Sequence, residues 1–212
     1  MTIEDDVCQV CVNDWRALIT AATLHQMPRA LRLQVPGLFH LGATSVSSRA
    51  LFYDNRAHEL FFRLLNKAFE RYSLNVVSYC LLSTHYHLLV RTTEPDLSRS
   101  LQWLNGCFGA RLNAMERDRG HVFGARFWSR RIASDADLLA TTRYIARNPV
   151  EAGLCRDPAD WCWSSYSVLI RGLRRPPFLD PAALVDVFGG DERAAIPRLR
   201  GLVEDVTVAP AL

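Results

Sequence analysis

The sequence predicts an α+β fold: an antiparallel sheet with helices on one face, an N-terminal extension and a C-terminal helical tail. Three observations lead there. Extended and helical patterns alternate in the order strand, helix, strand, strand, helix, strand; two apolar runs are joined almost without a linker; and the helical patterns between strands are amphipathic. This order is the split β-α-β arrangement of ferredoxin-like and RRM-like domains.

Each element has its own signal. "GLFHLGATS" (37–45) alternates loosely and reads as a strand. "NRAHELFFRLLNKAFERYS" (55–73) spaces Leu60, Phe61, Leu64, Leu65, Ala68 and Phe69 along one helical face. "LNVVSYCLLS" (74–83) and "THYHLLVRTT" (84–93) form a hairpin pattern. After Glu94-Pro95-Asp96, "LSRSLQWLNGCFGARLNAMERDRG" (97–120) carries Leu97, Leu101, Leu104, Phe108, Leu112 and Met115 at helical spacing, with Gly106 and Gly109 weakening its middle. "GARFWSRRIAS" (124–134) is a fourth strand candidate. "SDADLLATTRYIARN" opens on Ser134 or Asp135 as an N-cap and reads as a helix that ends or kinks at Asn148, because Pro149 disfavours helical geometry there.

Composition limits the function. The chain has 212 residues, 49% of them hydrophobic, enough for one domain with a real core. No apolar run approaches the roughly 18 residues of a membrane span, and the acidic start "MTIEDDVCQV" is unlike a secretory signal, so a cytoplasmic protein without membrane partners is expected. The six cysteines then read as reduced thiols. Cys8-x-x-Cys11 has zinc-knuckle spacing but no matching second pair.

Net charge is +3, unevenly spread: residues 1–26 and 177–212 each carry −3, and residues 27–176 carry +9. On this basis and on "RRPPF" (174–178), the chain divides into an extension (1–26), a basic domain (27–175) and an acidic tail (176–212). Residues 99–131 hold seven Arg against Glu116 and Asp118, interleaved with Trp103, Phe108, Phe123, Phe127 and Trp128. An ordinary solvated face has this look, and so does a nucleic-acid surface; Arg99, Arg111, Arg126, Arg130 and Arg131 are the candidate DNA contacts.

"STHYHLLV" (83–90) carries the chemistry. Alternation along a strand points His85 and His87 to one face and Tyr86 to the other, so two imidazoles can converge on one ion. Two histidines alone are an incomplete metal site, and satisfied core or surface histidines share this pattern. In "TTRYIARNPV" (141–150), Tyr144 and Asn148 stack one turn apart on the last helix. An Asn carbonyl oxygen suits a hard divalent cation, and a phenol beside such an ion is an activated nucleophile; a packing Tyr and a helix-ending Asn are the plainer alternative.

Taken together, "HYHLLV", "YIARNPVEAGL" and the element order resemble the HUH single-strand endonucleases, and more closely the REP-associated tyrosine transposase family. The resemblance covers roughly residues 27–170 and extends to "MPRALRLQVPGLFHLGAT", "LSRSLQWLNGCFGARLN", "GHVFGARFWSRRI" and "DWCWSSYSVLI". It departs at Ser83-Thr84 and at "GATSVSSRALF". What it implies is a transposase in which His85, His87 and Asn148 hold Mg²⁺ or Mn²⁺ and Tyr144 is the nucleophile, Tyr86 being non-catalytic. Cleavage of single-stranded DNA beside a hairpin-forming, REP-like element would leave a 5′-phosphotyrosine, and a new 3′-hydroxyl would complete strand transfer, the protein acting as a monomer or homodimer. Ala140 and Asn148 leave no second Tyr one turn from Tyr144, which fits a single-tyrosine enzyme. Two other functions share these residues: a hairpin-binding module that does not cut, and a metal-dependent hydrolase using water.

Overall fold

The computed structural model describes residues 35–93 and 96–205. The short helix expected before residue 27 and the Cys8/Cys11 pair lie outside the described residues. Four strands, β1 (Gly37–Thr44), β2 (Asn75–Leu82), β3 (His85–Thr92) and β4 (Trp128–Arg131), form one sheet in the order β2-β3-β1-β4. All three pairings are antiparallel.

Helices α1 (Asn55–Tyr72) and α2 (Leu97–Glu116) lie side by side over one face. Asp54 caps α1 by accepting the Ala57 N–H at 2.9 Å, and Ser73 ends it in the left-handed region. Their apolar stripes, among them Leu60, Phe61, Leu64, Leu101, Leu104 and Phe108, close on Phe39, Leu41, Tyr79, Leu81, Tyr86, Leu88 and Val90 of the sheet. This is the main core.

The second face is also covered, which corrects the expectation of helices on one face. Helix α3 (Asp135–Glu151) packs Leu138 and Ile145 against Val77, Cys80 and Leu89. The cause is in the strands: β2 and β3 are apolar at both parities and almost wholly buried, so one helical layer cannot satisfy them. Ser134 caps α3 through the Asp137 N–H.

A second correction concerns Pro149, which does not end α3. The helix runs through it to Glu151, and Ala152 N–H still donates to the Asn148 carbonyl. Proline at this point removes one hydrogen bond, to Ile145, near the end of the helix, and the final turn closes without it.

Residues 176–204 are joined closely to the rest. Phe178 is fully buried in the main core, and its carbonyl accepts the Val76 N–H at 3.0 Å. Beyond α4 (Ser165–Ile170), the short α5 (Ala182–Val187) meets β2, and α6 (Glu192–Glu204) packs on α3 and α4. Arg143 of α3, itself buried, donates to the Leu202 and Asp205 carbonyls, and Arg147 donates to the Val203 carbonyl. These guanidinium groups occupy the carbonyls that the end of α6 leaves without helical partners.

Candidate active site

The pleat of β3 sorts its side chains. His85 and His87 face α3 with ring centroids 5.2 Å apart and nearly perpendicular. Tyr86 turns into the main core, where its hydroxyl donates to Asn105 Oδ1 at 2.7 Å and its ring meets Phe61. It is fully buried, on the opposite face of the sheet from the histidines.

Helix α3 crosses this face with Tyr144 and Asn148 toward the imidazoles. Asn148 is buried, and its amide nitrogen lies 3.4 Å from His87 Nε2. Asn148 also lies near enough to His85 and Tyr144 to influence the protonation of both. Tyr144 is 42% exposed, its ring 5.3 Å from that of His87. Two residues from β3 and two from α3 therefore converge around His87.

A fifth member, His40 on β1, was not among the sequence candidates. It projects from the same face, and its Nε2 lies 3.3 Å from His87 Nδ1, so the second nitrogen of His87 is engaged while Nε2 faces Asn148. His40 also touches Trp128 edge-on at 4.7 Å and Tyr144 at 5.8 Å. Alternation in "GLFHLGAT" puts His40 and Gly42 on one face of β1, and the ladder that pairs Gly42 with His87, which the sequence does not display, brings that face to the histidines.

Burial sets the protonation. It holds His87 well below the usual imidazole value, with its two neighbouring histidines adding to the effect, and holds His85 lower as well, against the opposing Asn148 bond. His40 is brought down to about 4, by burial first and then by the charge of Arg130. All three imidazoles are therefore neutral at pH 7, with lone pairs to give. Burial raises the Tyr144 phenol, the Asn148 bond works in the opposite direction, and Glu151 adds to the rise.

These residues fit a divalent cation by their donor chemistry. Two neutral imidazoles converge on a side chain whose carbonyl oxygen comes to them by a flip of the amide, and such mixed N/O donors suit Mg²⁺ or Mn²⁺. Among the described residues no group of three or more His, Cys, Asp and Glu side chains could hold a metal ion, so Asn148 is the third donor available here.

The arginines divide. Arg130 on β4 donates to both carboxylate oxygens of Asp137 at 2.7 and 2.8 Å and to the Thr141 hydroxyl oxygen at 2.8 Å, tying the edge strand to α3. Arg126 and Arg131 are exposed at the same edge, Arg131 alternating to the opposite side of β4. Arg99 and Arg111 are exposed on α2, which covers the other face of the sheet from His85 and His87. The structure therefore does not bring all five to one surface.

Residues 38–148 match the family model described as IS200-like transposase. The fold is also that of a solved structure described as a REP-associated tyrosine transposase bound to a REP hairpin, with a TM-score of 0.60 and 18% identity over 73% of this chain and 92% of that one. No curated protein matches. The matched segment spans just over half of the chain, which belongs to the IS200-like transposase family. Among the described residues no helix is long and apolar enough to cross a membrane.

Proposed function

We propose that this chain cleaves single-stranded DNA beside a hairpin-forming, REP-like element and transfers the cut strand through a phosphotyrosine at Tyr144. The observation that carries the reading is the convergence around His87 of His85 at 5.2 Å and Tyr144 at 5.3 Å between ring centroids and of the Asn148 amide at 3.4 Å, which sets a nucleophile against a ready set of metal donors. Family membership supports DNA as the substrate, and the hairpin bound by the structural neighbour supports its form.

Tyr144 Oη attacks the scissile phosphorus. The Oη–P bond forms, the bond from phosphorus to the 3′ oxygen breaks, and the phenolic proton is lost as the leaving 3′ oxygen gains one. The strand is left with a free 3′-hydroxyl and a 5′-phosphate esterified to Tyr144. Attack by another 3′-hydroxyl reverses these changes, so joining needs no nucleotide cofactor. His85 and His87, through ring nitrogens, and Asn148, through its carbonyl oxygen, would hold Mg²⁺ or Mn²⁺. Such an ion, when bound, supplies Lewis-acid polarisation of the phosphate. His40 orients His87, and the Arg130–Asp137 tie holds the first turns of α3 against β4, so Tyr144 is positioned before substrate arrives.

The test is incubation with labelled hairpin DNA from sequence flanking the gene for this chain, with Mn²⁺ or Mg²⁺, comparing wild type with Tyr144→Phe. The expected result is metal-dependent cutting in wild type and none in the variant. Cutting that persists in Tyr144→Phe overturns the reading in favour of a water-using hydrolase; tight binding with no cutting by either protein overturns it in favour of a binding module.

A further inference from the structure

Among the described residues four large hydrophobic side chains are exposed: Met115, Trp128, Tyr144 and Leu173. Two of the four, Trp128 and Tyr144, contact the same pair of imidazoles, His40 and His87. An indole that is 40% exposed beside the candidate nucleophile contributes little to the core. The other described tryptophans are used in packing: Trp161 donates its indole N–H to the Leu81 carbonyl at 2.9 Å, Trp163 stacks on His58 at 3.9 Å, and Trp103 packs on the main core.

Trp128 is also held in place. Its cross-strand partner is Gly42, and a Cβ there would stand 3.0 and 3.1 Å from two of its ring carbons. A strand glycine facing a large ring is a seat for that ring. His40 meets the indole at 85°, so the ring is braced from β1 and from one edge while much of its surface stays open to solvent. A rigid, half-open aromatic surface loses little conformational freedom when a second ring lies on it.

From these contacts we infer that Trp128 is the stacking platform for one unpaired nucleobase, the base next to the phosphate that Tyr144 attacks. The inference rests on the nuclease reading and names the substrate group that the site grips. An unpaired base is the occupant that the surroundings favour. The exposed Arg126, two residues earlier, has no ion pair among the described residues and stands ready for the strand's phosphates. Tyr144 and Trp128 both contact His40 and His87, so one strand reaches both. Stacking of this kind tolerates any base, because every base has a π-face.

The experiment uses Tyr144→Phe protein, which keeps the DNA intact, and a labelled hairpin oligonucleotide carrying the single-stranded flank from beside its gene. Binding is measured with the intact flank and with an abasic site at each flank position, for Trp128, Trp128→Phe and Trp128→Ala. Removing the platform is expected to weaken binding roughly 5- to 100-fold, with Phe at 128 restoring most of it. One abasic position should cost the Trp128 protein a similar factor and cost the Trp128→Ala protein nothing further. Losses that multiply at every position, or an abasic scan with no sensitive position in the Trp128 protein, would overturn the stacking role and leave the nuclease reading standing. The scan leaves the protein untouched, so it decides the matter even if Trp128→Ala folds poorly. Failure of the Trp128 protein to bind either hairpin or single strand would remove the nuclease reading, and this inference with it.

Discussion

Gly42→Ala is a one-atom change with a large expected effect. The new Cβ would lie 2.6 Å from the Tyr86 carbonyl oxygen and 3.0 Å from the Trp128 ring. The carbonyl belongs to the backbone of the paired strand β3 and cannot turn aside, so either β1 and β3 separate or the residue at 42 tips toward Trp128 and displaces it. Overpacking of this kind costs about 1–3 kcal/mol. Losing a glycine from a strand works in the opposite direction by about 0.5–1 kcal/mol. The clash wins, for a net loss of roughly 1–2 kcal/mol, which lowers a urea midpoint by about 0.5–1 M at an ordinary denaturant slope. Urea unfolding followed by circular dichroism measures this, and tryptophan fluorescence reports whether the indole over residue 42 has moved. An unchanged midpoint together with an unchanged indole signal would refute the argument that the two strands and Trp128 require glycine here.

Three further outcomes are expected. His40→Phe keeps a ring against Trp128 and Tyr144 but removes the partner of His87 Nδ1, so Mn²⁺ affinity measured by calorimetry should fall about 10- to 100-fold, as when an outer-shell partner of a metal ligand is lost; unchanged affinity would show that His40 does not orient the ligand. His58 is buried, with Nδ1 2.8 Å from the Asp54 carbonyl and Nε2 without a hydrogen-bond partner among the described residues, and its value is brought down to about 4 by burial first. Its folded form therefore resists the proton: the associated stability is complete above pH 6.5 and is lost as pH falls toward 4, by at most about 3 kcal/mol. His58→Phe, which keeps the stack on Trp163, should flatten this part of a stability-versus-pH curve, and a curve of unchanged slope would contradict it. Arg143→Ala removes two charged hydrogen bonds to the end of α6, a loss of about 2–4 kcal/mol in docking, read as faster amide exchange across residues 192–204; protection equal to wild type would contradict it.

The sheet and its hairpin were legible because β2 and β3 carry long apolar runs, and α1 because its stripe keeps strict helical spacing. The same runs held a further message, that a strand apolar on both faces needs cover on both, and this places α3 opposite α1 and α2. Proline at 149 was a misleading stop: a single missing N–H near the end of a helix is tolerated, and Asn148 stays helical and faces His87. His85, His87, Tyr144 and Asn148 could be picked out by spacing because each pair sits on one element. His40 could not be singled out this way, since its importance comes from the pairing of β1 with β3, which brings together residues 47 positions apart. The arginines illustrate the same limit. Their density in 99–131 was visible, but only the sheet order shows that Arg99 and Arg111 lie beyond the other face and that Arg130 is engaged by Asp137.

The identity of the atom that holds the cut strand is the central claim, and mapping the covalent adduct tests it most directly. Wild-type protein is incubated with hairpin DNA and Mn²⁺, denatured, and digested with nuclease and then trypsin, which cuts after Arg143 and Arg147 and isolates Tyr144 in a four-residue peptide. The account predicts a nucleotide attached to Tyr144 in that peptide. A strand cleaved while this peptide stays unmodified, or an adduct on any other residue, would contradict it.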